Sequence, residues 1–202
     1  MPFFRIPWFV QQLFPNWIWR GSEKNALYLT FDDGPGAEHS EWILSFLREQ
    51  NIKATFFCVG EASRNNPLIL NKIISEGHRI GNHTMRHEKG WKSDTSSYLN
   101  SVGEANAILS SNLFRPPYGR IKLKQARLLR KLGYKIIMWT WLSNDFDENV
   151  SASEIEQNMK KIKSGDIIVF HDNHRTFDKL KLVLPVFIER MLKRGYHFAI
   201  LD

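Results

Sequence analysis

Two histidines four positions apart, in His83-Thr84-Met85-Arg86-His87, have the spacing at which one helical turn brings both imidazoles to the same side and within reach of one metal ion. The pair differs from the helix of zinc proteases, because Thr84 stands where a glutamate would serve as base. A base and a third ligand must come from elsewhere, and the adjacent carboxylates of Asp32 and Asp33 can supply both. Two imidazoles and one carboxylate leave a position open for water, as catalytic zinc sites do. Zn²⁺ is the first choice, and cobalt, manganese or nickel fit the same donors. The lone cysteine, Cys58, excludes both a Cys-rich structural site and an internal disulfide.

Three further groups can take part. Arg115-Pro116-Pro117-Tyr118-Gly119 is a turn stiffened by proline that can hold a guanidinium against a carboxylate and aim a backbone N–H at a fixed spot. His171 closes an apolar run and is a candidate general acid, with Asp145 beyond another apolar run. Each feature has a plain reading when taken alone: Asp32-Asp33-Gly34 as a solvated turn, the proline turn as a rigid connector, His171 as a satisfied core residue. Trp91, in the loop after the histidines, is the expected groove aromatic, whereas alternation along an apolar strand puts Trp139 and Trp141 in the core. His39, His78, His174 and His197 are expected to be structural or solvent-exposed, His174 with the closest claim to the site.

The elements that position these groups alternate between strand and helix. Ala26 to Phe31 reads as a buried strand stopped at Gly34-Pro35-Gly36, followed by a helix from Ser40 to about Gln50. Strands are expected at 53–59, 78–81, 113–114, 134–141, 166–170 and 196–201. Helices are expected at 67–75, 95–111, 123–132, 151–162 and 180–193. This alternation implies a parallel sheet with right-handed crossovers. A complete eight-unit barrel takes ~250 residues, and roughly 180 remain from Ala26 onward, so the fold class expected is α/β, a distorted (β/α) barrel of about seven strands. An open doubly wound sheet is the runner-up, without a glycine-rich phosphate fingerprint after its first strand. All the reactive groups named above follow strand ends, where such barrels build their sites.

A chain of 202 residues with 43% hydrophobic content is long enough for one full core and excludes disorder. The formal charge of +7 favours an anionic partner, but the basic residues are spread out, and Lys122, Lys124, Arg127, Arg130 and Lys131 read as one solvated helix face rather than a nucleic-acid site. Residues 1–25 form an aromatic segment with Trp8, Trp17 and Trp19, separate from the catalytic domain expected at 26–202. Pro2, Pro7 and Pro15 interrupt it, so it falls short of a membrane span and lacks the features of a secretory signal. It either packs over one end of the domain or, through residues 1–20, rests on a membrane surface with Trp and Arg at headgroup depth. A cytoplasmic or peripherally membrane-associated protein is the corresponding expectation.

Thr30-Phe31-Asp32-Asp33-Gly34, His83 to His87, Arg115 to Gly119, Asp145 and Val169-Phe170-His171 resemble, in order and approximate spacing, the five motifs of the polysaccharide deacetylases, carbohydrate esterase family four. The resemblance implies a distorted (β/α) barrel that removes acetyl groups from amino-sugar glycans. It also implies that Asp33, His83 and His87 hold the metal and that Asp32 is the general base, oriented by Arg115. Tyr118 would offer its backbone N–H to an oxyanion, and Asp145 would tune His171, the proton donor. The chain departs from the family's pattern at Leu142-Ser143-Asn144-Asp145-Phe146, which lacks a first Asp and a Trp, and at Val169 in place of leucine. Those departures bear on groove shape. The alternatives are an O-acetyl esterase on xylan or wall sugars and a glycan-binding module without turnover.

Overall fold

The alternation seen in the sequence becomes a parallel sheet because each apolar strand can be covered only by a helix that crosses back over it. A computed structural model of the chain describes residues 4–202. The strands are β1 (Ala26–Asp32), β2 (Thr55–Cys58), β3 (Arg79–Asn82), β4 (Leu113–Phe114), β5 (Lys135–Ile136), β6 (Trp141–Leu142), β7 (Ile167–His171) and β8 (His197–Phe198). They pair in the order β5-β4-β3-β2-β1-β7-β6, all parallel, with β8 added beside the start of β1. The sheet curls into a half-barrel, so the fold is the distorted (β/α) barrel expected.

Helices α1 (Trp8–Leu13), α2 (His39–Glu49), α3 (Gly60–Asn65), α4 (Pro67–Ser75), α5 (Thr95–Leu109), α6 (Leu123–Lys131), α7 (Ala152–Asn158) and α8 (Phe177–Lys193) fill the connections and the N-terminal segment. Their starts follow local chemistry. Pro67 opens α4; the Asp94 carboxylate accepts from the Ser96 and Ser97 N–H groups at 2.8 and 3.1 Å; Ser151 and Glu154 make a capping box.

Every residue of β1 is buried, and alternation divides it between two faces. Leu27, Leu29 and Phe31 pack outward against the helices, with Ile43, Leu47 and Phe187. Tyr28 faces the interior with Phe57 and Ile167. Thr30 and Asp32 continue that inner face toward the rim, where the Arg115 guanidinium donates to both.

The expected strand at 134–141 is broken into β5 and β6, and the N-terminal segment accounts for the break. Ile18 bridges to Ile137, with hydrogen bonds Ile18 N–H to Ile136 O (2.8 Å) and Met138 N–H to Ile18 O (2.7 Å). Closer to the start of the chain, Ile6 N–H donates to Thr140 O at 3.0 Å and Leu142 N–H to Phe4 O at 3.0 Å. The segment therefore runs between the two strands while its apolar side chains pack on the domain. Arg5 and Arg20 fasten it, both at 2.6 Å from the buried Asp166 carboxylate. Met1, Pro2 and Phe3, the first residues of the expected membrane-facing stretch, lie outside the described residues. Among the described residues no helix is long and apolar enough to cross a membrane.

Candidate metal and catalytic site

Strand register sets the level of the site. Asp32 on β1 pairs with His171 on β7 and with Phe57 on β2, while Asn82 on β3 pairs with Phe114 on β4. Asp33, His83 and Arg115 follow these positions directly, so they meet at the C-terminal rim.

Asp33, His83 and His87 offer ligand atoms that all lie within 4.8 Å of one another. His87 Nε2 is 3.2 Å and His83 Nε2 3.7 Å from Asp33 Oδ1. That oxygen is buried without a hydrogen-bond partner, whereas Oδ2 accepts from Asn173 Nδ2 at 2.7 Å. The Nδ1–H of His83 donates to the Arg115 carbonyl at 2.8 Å, which leaves Nε2 as the free lone pair. Burial pulls His83 down to about 4, so the imidazole is neutral and able to ligate. Burial works against the Asp33 charge, yet the neighbouring His87 imidazole and the charge of His171 hold its carboxyl well below the usual carboxylate range. An unpartnered carboxylate oxygen facing two imidazole nitrogens fits a divalent cation.

The histidine pair does not lie on a helical turn as its spacing predicts. Thr84 (φ 65) and His87 (φ 57) are left-handed, and the segment is a loop pinned by Thr84 N–H to Asn82 Oδ1 (2.9 Å) and Met85 N–H to Ser101 Oγ (2.9 Å). Met85 is buried beneath it. The rings still converge, with centroids 5.0 Å apart. Asp33 (φ 85) and Tyr118 (φ 60) are left-handed as well. Four non-glycine residues in a sparsely populated conformation thus gather at one place, a concentration of strain typical of functional sites.

Beside the triad, the wholly buried Arg115 donates through Nη1 to Asp32 Oδ1 at 2.6 Å and to Thr30 Oγ1 at 2.7 Å. Its Nη2 reaches Met138 O at 3.2 Å, and its guanidinium lies 4.0 Å from the Phe57 ring centroid. Asp32 is held by this clamp while lining the cleft. In the proline turn the hydrogen bonds are made by Gly119 and Arg120 N–H, to Pro116 O and Pro117 O; the Tyr118 N–H is not among those donors. The Tyr118 ring packs on His87 at 4.6 Å.

Asp145 grips His171 twice, accepting from Nδ1 at 2.7 Å and from the His171 backbone N–H at 2.9 Å. Burial disfavours the imidazolium, but the charge and hydrogen bond of Asp145, aided by Asp33 and Asp32, push His171 up to about 9. The edge of the ring meets Phe146 at 5.0 Å.

These groups surround a cleft of about 610 Å³ that Trp139, Phe146, Asn173 and His174 also line. Trp91 is not part of it. The turn at Gly90–Lys92 lays its indole outward, 60% exposed, with Nε1 donating to Ile121 O at 3.0 Å. Trp139 packs against the core, as alternation predicts, and also lines the cleft, with its buried indole N–H without a partner. Trp141 is fully buried, as alternation predicts. Asn173, which orients Asp33, gave no signal in the sequence beyond its place two residues after His171. His39 is not idle either: its Nδ1 contacts Asp172 Oδ1 at 2.6 Å, and Asp172 N–H donates to Asp32 O at 2.7 Å, tying α2 to the end of β1. A second cleft, about 670 Å³ between α7 and α8, holds none of the rim groups.

Fold and site together define a class: a curled (β/α) half-barrel whose C-terminal rim carries a candidate metal triad, an arginine-clamped carboxylate and an Asp-held histidine. The family follows from comparison, since a family model described as polysaccharide deacetylase matches residues 20–137, and the chain belongs to that metal-dependent family. A peptidoglycan-N-acetylglucosamine deacetylase of Bacillus cereus is 30% identical over 191 residues, spanning 91% of this chain and 89% of that protein. A crystal structure of a peptidoglycan N-acetylglucosamine deacetylase in complex with 4-naphthalen-1-yl-N-oxidanyl-benzamide matches with a TM-score of 0.88 at 30% identity, over 97% of this chain and 95% of the other. A mutant of a pseudoenzyme of carbohydrate esterase family 4 matches with a TM-score of 0.81 at 25% identity, over 93% and 70%.

Proposed function

We propose that this protein is a metal-dependent hydrolase that removes N-acetyl groups from glycans containing N-acetylglucosamine, such as peptidoglycan or chitin-like oligomers. The observation that carries the reading is the unpartnered Asp33 Oδ1 facing His83 and His87, one residue from an arginine-clamped carboxylate and across the cleft floor from an Asp-held histidine.

Asp33, His83 and His87 would hold a divalent cation, Zn²⁺ by first preference, with cobalt, manganese or nickel suited to the same donors. When bound, that cation supplies Lewis acidity that lowers the pKa of water and polarises an acetyl carbonyl. Asp32 takes the proton from the attacking water, and Arg115 fixes the carboxylate for that role. The Tyr118 N–H donates to the developing oxyanion, a type of contribution worth about 3 kcal/mol per donor. His171 then protonates the departing amine, which is too basic to leave as an anion. An imidazole pushed up to about 9 carries the required proton at neutral pH. Water and amide become acetic acid and free amine, with one proton taken by Asp32 and one given by His171, and the acid loses its proton to solvent as acetate. Trp139 and Phe146 offer the sugar its apolar walls.

The test compares acetate release from N-acetylglucosamine oligomers with release from O-acetylated xylan oligomers. Faster turnover of the amide substrate is expected. Turnover of the ester alone would move the protein to the O-acetyl esterases, and binding without turnover of either, under every metal offered, would make it a glycan-binding module.

A further inference from the structure

In α1 apolar side chains face both ways. Val10 and Phe14 turn inward with Ile6 and Trp17, onto a cluster that also contains Ala126 and Leu129 of α6. Trp8, Phe9 and Leu13 stand outward, 73, 56 and 69% exposed. Three large apolar side chains on one face of a six-residue helix form the kind of patch that marks an interaction surface.

Charge in the stretches that carry α1 and α6 is one-sided. Residues 4–22 and 105–144 contain no Asp or Glu, and these two stretches pack on each other through Ile18, Ile136 and Met138. On α6, which shares its buried cluster with α1, Lys124, Arg127, Arg130 and Lys131 are exposed. Among the described residues, none of these four pairs with a carboxylate. The cations of the N-terminal segment are spent differently, since Arg5 and Arg20 bind Asp166. Leu123 and Leu132, at the two ends of α6, add further exposed apolar area.

We propose that the face formed by α1 and α6 docks on the surface of an anionic phospholipid bilayer. Trp8, Phe9 and Leu13 enter the boundary between headgroups and acyl chains, and the α6 cations lie over the lipid phosphates. A soluble polyanion satisfies the cations but offers no apolar phase for the three outward side chains, and this favours the bilayer over an anionic polymer or nucleic acid. Docking is independent of the chemistry on the rim, because none of these residues touches Asp32, the triad or His171.

The test is co-sedimentation of the full chain with vesicles of phosphatidylcholine alone, or containing about a third phosphatidylglycerol, at about 0.1 M and about 0.5 M salt. Binding to the anionic vesicles is expected, at least about ten-fold weaker on neutral vesicles and at the higher salt, since each cation near such a surface contributes about five-fold in partitioning. The variant Trp8→Ala/Phe9→Ala/Leu13→Ala is expected to lose at least about ten-fold. Lys124→Glu/Arg127→Glu/Arg130→Glu/Lys131→Glu is expected to abolish binding. Acetate release from soluble oligomers by both variants should match the parent, which certifies their folding. Trp8→Phe supplies a second readout: lipids with brominated chains should quench the parent's tryptophan emission more than the variant's. Absence of sedimentation, equal binding by the aromatic variant, or equal quenching in both proteins would each overturn the proposal.

Discussion

Replacing Asp145 with asparagine isolates what that carboxylate does to His171. Asp145 accepts two hydrogen bonds from the same residue, at 2.7 Å from Nδ1 and 2.9 Å from the backbone N–H. His171 is raised from 6.5 to about 9 although burial opposes its charge, and Asp145 is the largest of the raising influences. Asparagine keeps the shape and one acceptor oxygen but removes the charge, so His171 should fall back toward its ordinary 6.5, and a full return would be worth roughly 3 kcal/mol at 1.36 kcal/mol per pKa unit. In the proposed role of proton donor, His171 would work only below its pKa. With limits of about 9 and 6.5, the protonated fraction at pH 8 would fall from ~0.9 to ~0.03 and kcat by up to about 30-fold, whereas near pH 6 the two enzymes should differ by less than about two-fold. A cation at Asp33 weakens that residue's pull, so the basic limb of the loaded parent lies below about 9; the displacement between parent and variant is the quantity at issue. The assay is kcat against pH from 6 to 9 on a soluble N-acetylglucosamine oligomer, with metal content measured in parallel. A loss that stays constant across this range would refute the reasoning and leave Asp145 as a positioning residue without influence on the proton.

Three other outcomes follow from named contacts. Asp32→Asn should abolish turnover while retaining the metal, whereas Asp33→Ala should lose the metal, both read by elemental analysis after gel filtration; loss of metal from Asp32→Asn would reassign Asp32 as a ligand. Arg5→Ala/Arg20→Ala leaves the fully buried Asp166 carboxylate without its two cations. It should cost about 3–5 kcal/mol and lower Tm by roughly 6–20 °C in thermal unfolding, and a drop of less than ~2 °C would mean that the N-terminal segment does not brace the sheet. Trp139→Ala should raise KM by about 2–12-fold with kcat nearly unchanged, while Trp91→Ala should leave both within about two-fold; the reverse pattern would return the groove to Trp91.

The barrel was legible because β1 and β7 are apolar runs that end in reactive residues, and because Pro67 and the Ser151–Glu154 capping box mark helix starts in local chemistry. The rim groups were legible for the same reason, since each follows a strand whose direction the crossovers fix. What escaped depends on contacts between distant parts of the chain. Periodicity predicts one strand over 134–141, and only the bridge from Ile18 to Ile137 explains why it splits. The spacing of His83 and His87 predicts a helical turn, but Asn82 and Ser101 hold a left-handed loop that achieves the same convergence. Asn173 and His39 carry no motif, and their partners, Asp33 and Asp172, lie 140 and 133 positions away.

Deacetylation by this protein is expected to depend on a metal held by Asp33, His83 and His87. The most direct test of that dependence is acetate release from N-acetylglucosamine oligomers by metal-stripped protein titrated with Zn²⁺, cobalt or manganese, with His83→Ala alongside. Release that saturates with bound metal and vanishes in His83→Ala is the predicted result. Undiminished release by the stripped protein, or by His83→Ala, would contradict it.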